Sequence, residues 1–174
     1  MNIGALTIRG NGRLNVLISQ VAVSLPFIGE GADEKIISVS FSGIWDTGAT
    51  NSVITKKVVD QLELKPVGMT TVHTASGSGN QNVYLVNFTL PNNFTISGIR
   101  VTEGQLTGAD ILIGMDIICL GDFSITNVDG KTITSFRMPS CDIVDYVDEI
   151  NIQKLPRAER RKLLLEKAKR PKLK

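Results

Sequence analysis

The sequence predicts a mainly β domain with one or two short helices, followed by a basic helix. Three observations carry that expectation. Strand-forming Val, Ile and Thr dominate until Lys154. Apolar residues alternate along the chain, most clearly where Tyr84, Val86, Phe88 and Leu90 share one face. Gly, Asn, Asp and Pro punctuate the runs at short intervals, as turns do. The 174 residues suit one domain with an appendage, because domains commonly run about 100–150 residues.

Taken in order, strands are expected near Leu14–Ser24 and Lys35–Ser42, with Gly29, Glu30 and Gly31 turning the chain between them. Gly43 leads into a buried-looking Ile44-Trp45, and Asp46-Thr47-Gly48-Ala49 follows. After Val53-Ile54, Thr55 is placed to cap a short helix that carries Val58, Val59 and Leu62 on one side and ends at Pro66 and Gly68. Met69–His73 and the alternating stretch through Leu90 flank the glycine-rich Thr74–Asn80, which is the pattern of a hairpin. Pro91-Asn92-Asn93 turns into Phe94–Val101. Ala109–Met115 is a short apolar strand stopped by Gly114, and Gly121 closes a helical turn begun near Asp116. Phe123–Asn127 and Lys131–Phe136 flank Asp129-Gly130, a strong hairpin-turn signal.

The net charge of +2 conceals a division: residues 154–174 hold ten Lys or Arg against two Glu, whereas residues 1–153 hold nine against fifteen. The expected organisation is a β domain over 1–141, an acidic connector over 142–153 and a basic helical tail over 154–174 that Pro171 stops. Clustered cations bind phosphate with a steep salt dependence or form a solvated helix face, so a nucleic-acid or anionic-membrane contact through Lys154–Lys174 and a plain solvated face all stay open.

No stretch reaches the roughly 20 apolar residues of a membrane span, and Ser19, Gln20, Ser24 and Pro26 interrupt the longest candidate, Val16–Ile28. That run imitates a secretory leader but starts late and has no clear small-residue cleavage site, so a cytoplasmic setting is expected. The triplets Asn87-Phe88-Thr89 and Asn93-Phe94-Thr95 then count as strand and turn residues rather than glycan acceptors. Cys119 and Cys141 lack zinc-type spacing and are read as reduced core thiols; nothing points to a metal or an organic cofactor.

Asp46-Thr47-Gly48 carries the chemistry. Two carboxylates about 3 Å apart cannot both ionise, so they share one proton. One then takes a proton from water while the other gives one to an amide oxygen. Such a carboxylate needs a tight loop in which a Thr can bond across to a partner loop and a Gly permits close backbone approach. The triplet alone is a common turn pattern. Ile44-Trp45 before it and Ala49-Thr50-Asn51-Ser52-Val53-Ile54 after it place the Asp at the end of a buried strand instead.

Three features in order resemble the retropepsin-like aspartic peptidases, particularly their stand-alone members outside retroviruses. Trp45-Asp46-Thr47-Gly48-Ala49-Thr50 resembles the active-site loop, Thr74–Asn82 the flap, and Ile111-Leu112-Ile113-Gly114 the apolar-apolar-Gly segment, so the resemblance spans about Lys35 to Pro139. It implies a single-lobe acid-protease barrel and a homodimeric endopeptidase. Asp46 would be the acid/base, Thr47 the cross-dimer hydrogen-bonding residue and Gly48 a contact to substrate backbone. The implied substrate contacts are Ala49, Val53 and Ile113, with Thr74, Ala75, Ser76, Gly77, Ser78 and Gly79 in the flap. Retroviral members place an Arg after the final Gly, whereas Met115 and Asp116 follow here, so that ion pair is missing and the dimer must be held another way. Asp110 and Asp116 are read as a turn residue and a helix cap.

Only one Asp-Thr-Gly loop is present; Thr107-Gly108-Ala109-Asp110 echoes it, but Leu106 stands where the Asp should be. One chain therefore holds half a site, and a twofold pair supplies the rest. The competing reading is a catalytically silent dimeric module that keeps the same fold for binding. His73, the sole histidine, has no Cys or GxSxG-type serine to activate, and no Walker or dinucleotide glycine pattern occurs.

Overall fold

The computed structural model describes residues 4–26, 37–74 and 77–168. The turn expected at Gly29, Glu30 and Gly31, the strand start at Lys35, the flap residues Ala75 and Ser76 and the helix stop at Pro171 lie outside the described residues. The chain divides into two units, Met1–Pro139 and Ser140–Lys174.

In the first unit, strands β1 (Gly4–Arg9), β2 (Ile18–Ser24), β3 (Ser38–Trp45) and the short β4 (Val53–Ile54) precede helix α1 (Lys56–Gln61). Strands β5 (Gly68–Thr74), β6 (Gly77–Leu90), β7 (Phe94–Glu103) and β8 (Ile111–Ile113) follow, then helix α2 (Met115–Ile118) and strands β9 (Asp122–Thr126) and β10 (Ile133–Met138). The larger sheet runs β2-β3-β8-β4-β7-β6-β5, and a further pairing of β2 with β6 closes six of these strands into a barrel. Strand β5 stays outside the closure.

Closure depends on the 14 residues of β6. Its first half pairs with β5 to make the glycine-rich hairpin, and its second half pairs with β7 and β2. Tyr84, Val86, Phe88 and Leu90 are all buried, as their alternation predicts. The Tyr84 hydroxyl donates to Glu103 Oε2 at 2.8 Å. Burial first, and that bond second, raise the phenol's pKa above its ordinary value, so the hydroxyl stays protonated and braces β6 on β7.

The register of β6 on β7 shifts between Val86 and Phe88. Asn87 sits in that break, fully buried; its amide nitrogen donates to the Leu25 carbonyl at 2.9 Å and its amide oxygen accepts the Gly98 N–H at 2.9 Å. One side chain thus satisfies two backbone groups where the ladder is interrupted. In the folded chain this Asn is inaccessible to a glycan.

The smaller sheet is antiparallel, in the order β1-β10-β9. Asp129 and Gly130 turn its hairpin with φ of 53° and 70°, the positive values a tight Asp-Gly turn requires. Arg137 on β10 pairs with Asp122 on β9. Strand β1 went unpredicted because, of its six residues, only Leu6 is buried.

Several local expectations need correction. Strand β2 starts at Ile18 rather than Leu14, and residues 10–17 form no regular element. Thr55 does precede α1, but its hydroxyl makes no cap bond and is buried without a partner. Cys119 is exposed and Cys141 half-buried, so neither is a core thiol.

The second unit holds α3 (Tyr146–Lys154) and α4 (Arg157–Ala168). The Asp145 carboxylate caps α3 by accepting from the N–H groups of Val147 and Asp148 at 2.9 and 3.0 Å. Most of the stretch expected as a connector is therefore helix. Among the described residues no helix is long and apolar enough to cross a membrane.

Replacing Asn87 by Ala should lower unfolding free energy by at least ~2 kcal/mol, because each buried partner left unpaired costs about 1–3 kcal/mol. Denaturant melts of the two proteins check this; a difference below ~0.5 kcal/mol would show that the strand break does not rely on Asn87.

Candidate active site

Asp46 follows directly on β3, which pairs in parallel with β8: Gly43, Ile44 and Trp45 lie opposite Ile111, Leu112 and Ile113. The Asp46 N–H extends this ladder by donating to the Ile113 carbonyl at 2.9 Å. Trp45 fixes the strand end from the other side. Its indole N–H donates to Ser19 Oγ at 3.0 Å, and its ring stacks on Phe123 with centroids 5.4 Å apart and tilts against Phe136 at 5.2 Å. Barrel and small sheet thus grip the residue before the carboxylate.

The loop beyond is tied by its own atoms. The Gly48 N–H donates to Asp46 Oδ1 at 2.8 Å, which orients the carboxylate. The Ala49 and Thr50 carbonyls accept from the N–H groups of Met115 and Asp116 at 2.8 and 3.1 Å. Ser52, with no exposed surface, closes the loop: its Oγ accepts the Gly114 N–H at 3.0 Å and donates to Asp116 Oδ1 at 2.8 Å, while its N–H donates to Asp116 Oδ2 at 3.0 Å. A Cβ on Gly114 would stand 2.7 Å from the carbonyl carbon of Asn51. Only glycine lets β8 and α2 approach the loop this closely.

Asp116 is thus not the cap of α2, where Gly114 holds the N-cap position. It is a clamp on the loop that carries Asp46, standing in the segment where retroviral members carry Arg. Sequence reasoning missed this because a carboxylate early in a short helix looks like a cap. Asp110 is held by Lys57 in the first turn of α1, whose Nζ lies 3.0 and 3.1 Å from its two oxygens.

Asp46, half-buried, faces a cavity of about 310 Å³ with Thr47, the segment Leu14–Leu17, Ile44, Trp45, Phe123 and Ile125. Thr47 and Gly48 are exposed; Ala49 and Val53 are half-buried. Ile113 is fully buried, so what it presents to the loop is its carbonyl. Leu112, one residue earlier, projects to the opposite face. It lies opposite both Ile44 and Val53, and these three half-buried side chains form an apolar stripe. Thr74 and Gly77 pair at the end of the β5–β6 hairpin, with Ser78 and Gly79 next along β6. The lining by Leu14, Val16, Phe123 and Ile125 was not anticipated; strand patterns marked these residues, but nothing in the sequence says that the two segments meet beside Asp46.

A closed barrel, an Asp-Thr-Gly loop seated against an apolar-apolar-Gly strand and a glycine-rich hairpin together define a retropepsin-like aspartic protease fold. Residues 33–119, half the chain, match the family model described as "gag-polyprotein putative aspartyl protease", and the chain belongs to that family. Among solved structures it is similar to a retropepsin-like aspartic protease from Rickettsia conorii, at 13% identity over 79% of this chain and 97% of that one, with a TM-score of 0.48. It is also similar to the Simian Foamy Virus (mac) protease, at 16% identity over 59% and 91% of the two chains, with a TM-score of 0.40. No curated protein matches.

Asp116→Ala should destabilise the first unit by about 3 kcal/mol, since bonds to a charged group contribute about 1.5–3 kcal/mol each. Asp116→Asn, which retains one acceptor oxygen, should lose less. Equal melts for the wild type and the Ala variant would show that the clamp is not stabilising.

Proposed function

We propose that this chain is an aspartic endopeptidase that acts as a homodimer, with the Asp46 carboxylates of two copies brought together on a twofold axis. The observation that carries the reading is the preset carboxylate: Gly48 orients it, Ser52 and Asp116 lock the loop beneath it, and it opens on a cavity rather than on the core. Maintaining a locked, accessible carboxylate in this way serves chemistry and not stability.

In the dimer the two carboxylates share one proton. The ionised member takes a proton from water, whose oxygen attacks the peptide carbonyl carbon while the protonated member gives its proton to the carbonyl oxygen. Collapse of the tetrahedral intermediate breaks the C–N bond: the amine leaves with the proton first taken from water, and one hydroxyl of the intermediate returns a proton to the other carboxylate, so the pair again holds one proton. Thr47, exposed beside Asp46, is placed to bond across the axis, and Gly48 to meet substrate backbone. The β5–β6 hairpin, with Thr74, Gly77, Ser78 and Gly79, acts as a flap that adds to an extended peptide by main-chain pairing. Ala49 and Val53 line side-chain pockets, with Leu112 and Ile44 in the role expected of Ile113. Apolar residues beside the scissile bond fit that stripe. The cytoplasmic setting belongs to the same proposal.

Asp46→Asn should reduce kcat/KM on a cleaved library peptide by about 10²-fold to 10⁴-fold and leave the dimer intact. A silent binding module predicts instead that neither protein cuts any peptide, and undiminished cleavage by the variant would remove Asp46 from the mechanism.

A further inference from the structure

The cations of this chain are unevenly compensated. In the first unit Lys56, Lys57 and Arg137 pair with Asp60, Asp110 and Asp122. Among the described residues no ion pair engages Arg157, Arg160, Arg161 or Lys162 of α4, and residues 154–174 hold ten Lys or Arg against two Glu. We propose that α4 and the basic residues beyond it bind the phosphate backbone of double-stranded nucleic acid without regard to base sequence. The proposal does not depend on the Asp46 chemistry.

The charges of α4 are sorted by face. At about 100° per residue, Arg157, Arg160, Arg161 and Lys167 fall within an arc of about 120°, whereas Glu159 and Glu166 fall on the other side of the helix. The result is a stripe of one sign some 15 Å long, at about 1.5 Å per residue. Arg157 and Arg161 are exposed and Arg160 is half-buried. Duplex DNA carries one negative charge per about 1.7 Å of axis, so a stripe of that length meets several phosphates at once. Guanidinium groups suit the contact, because their forked donors match phosphate oxygens two at a time.

The remaining residues argue against the other anionic partners. A helix that lies in a membrane surface needs a broad apolar face. Leu163, Leu164 and Leu165 are consecutive, so they point about 100° apart and share no face. Unpaired bases are held by stacking on aromatic rings, and adenine is read by Asn or Gln; residues 154–174 contain no Phe, Tyr, Trp, Asn or Gln. Backbone contact, driven by release of counterions, is what this composition can do. Residues 1–153 hold fifteen acidic residues against nine basic ones, so phosphate is drawn to the tail and not to the chain at large.

The full chain is titrated into a fluorescent duplex, as DNA and as RNA, and binding is read by anisotropy over a series of salt concentrations. Each neutralised phosphate contributes about −0.9 to the slope of log affinity against log salt, so contact by about five to eight of the cations gives a slope of about −4 to −7. Replacing Arg157, Arg160 and Arg161 together by Gln should weaken binding about tenfold or more and make the slope shallower by about 3. Removing as many charges from exposed positions of the first unit, by Arg13→Gln, Lys65→Gln and Arg100→Gln, should change neither. Asp46→Asn should bind like wild type, which separates this test from the catalytic reading. Binding to either duplex supports the proposal, and the tighter of the two identifies the nucleic acid. A slope near zero, an equal loss in both triple variants, or tighter binding to phosphatidylserine vesicles or to a single strand than to the duplexes overturns it.

Discussion

The position of Asp46 depends on the parallel pairing of β3 with β8. That pairing brings the chain before the carboxylate and the chain before Gly114 to the same end of the barrel, so one hydrogen bond from Asp46 to Ile113 and three around Ser52 hold the loop. Parallel neighbours cannot be joined by a tight turn. Everything from β4 to β7, including the β5–β6 hairpin, is the crossover that this geometry requires. The hairpin and the Asp46 loop are thus two consequences of one topological choice.

Trp45 connects that choice to the rest of the unit. Its backbone belongs to the barrel, its ring to the small sheet through Phe123 and Phe136. The edge of the small sheet consequently lies beside Asp46 rather than elsewhere on the surface. That edge is open on one side and its rim is apolar, and exposed apolar edges invite association.

Much of this was legible in the sequence. The alternation from Tyr84 to Leu90 marks a strand whose inner face is buried, and Asp129-Gly130 marks a turn that needs two positive φ angles. The order of an Asp-Thr-Gly loop, a glycine-rich hairpin and an apolar-apolar-Gly strand signalled the family because each motif answers a backbone requirement. What escaped were contacts decided by packing. Leu112 and Ile113 are equally apolar, and a three-residue strand gives no periodicity to say which faces the core. Asp116 looks like a helix cap until β8 is seen to place it over Ser52. Strand β1 buries too little to leave a pattern, and the Thr55 hydroxyl loses its cap bond to local geometry.

The claim on which the account turns is that one active site needs Asp46 from two chains. Mixing wild type with an increasing share of Asp46→Asn, under conditions where subunits exchange, measures it directly. If both carboxylates are required, activity per total protein falls as the square of the wild-type fraction. A linear fall would mean that a single chain suffices, and the paired-carboxylate site would be contradicted.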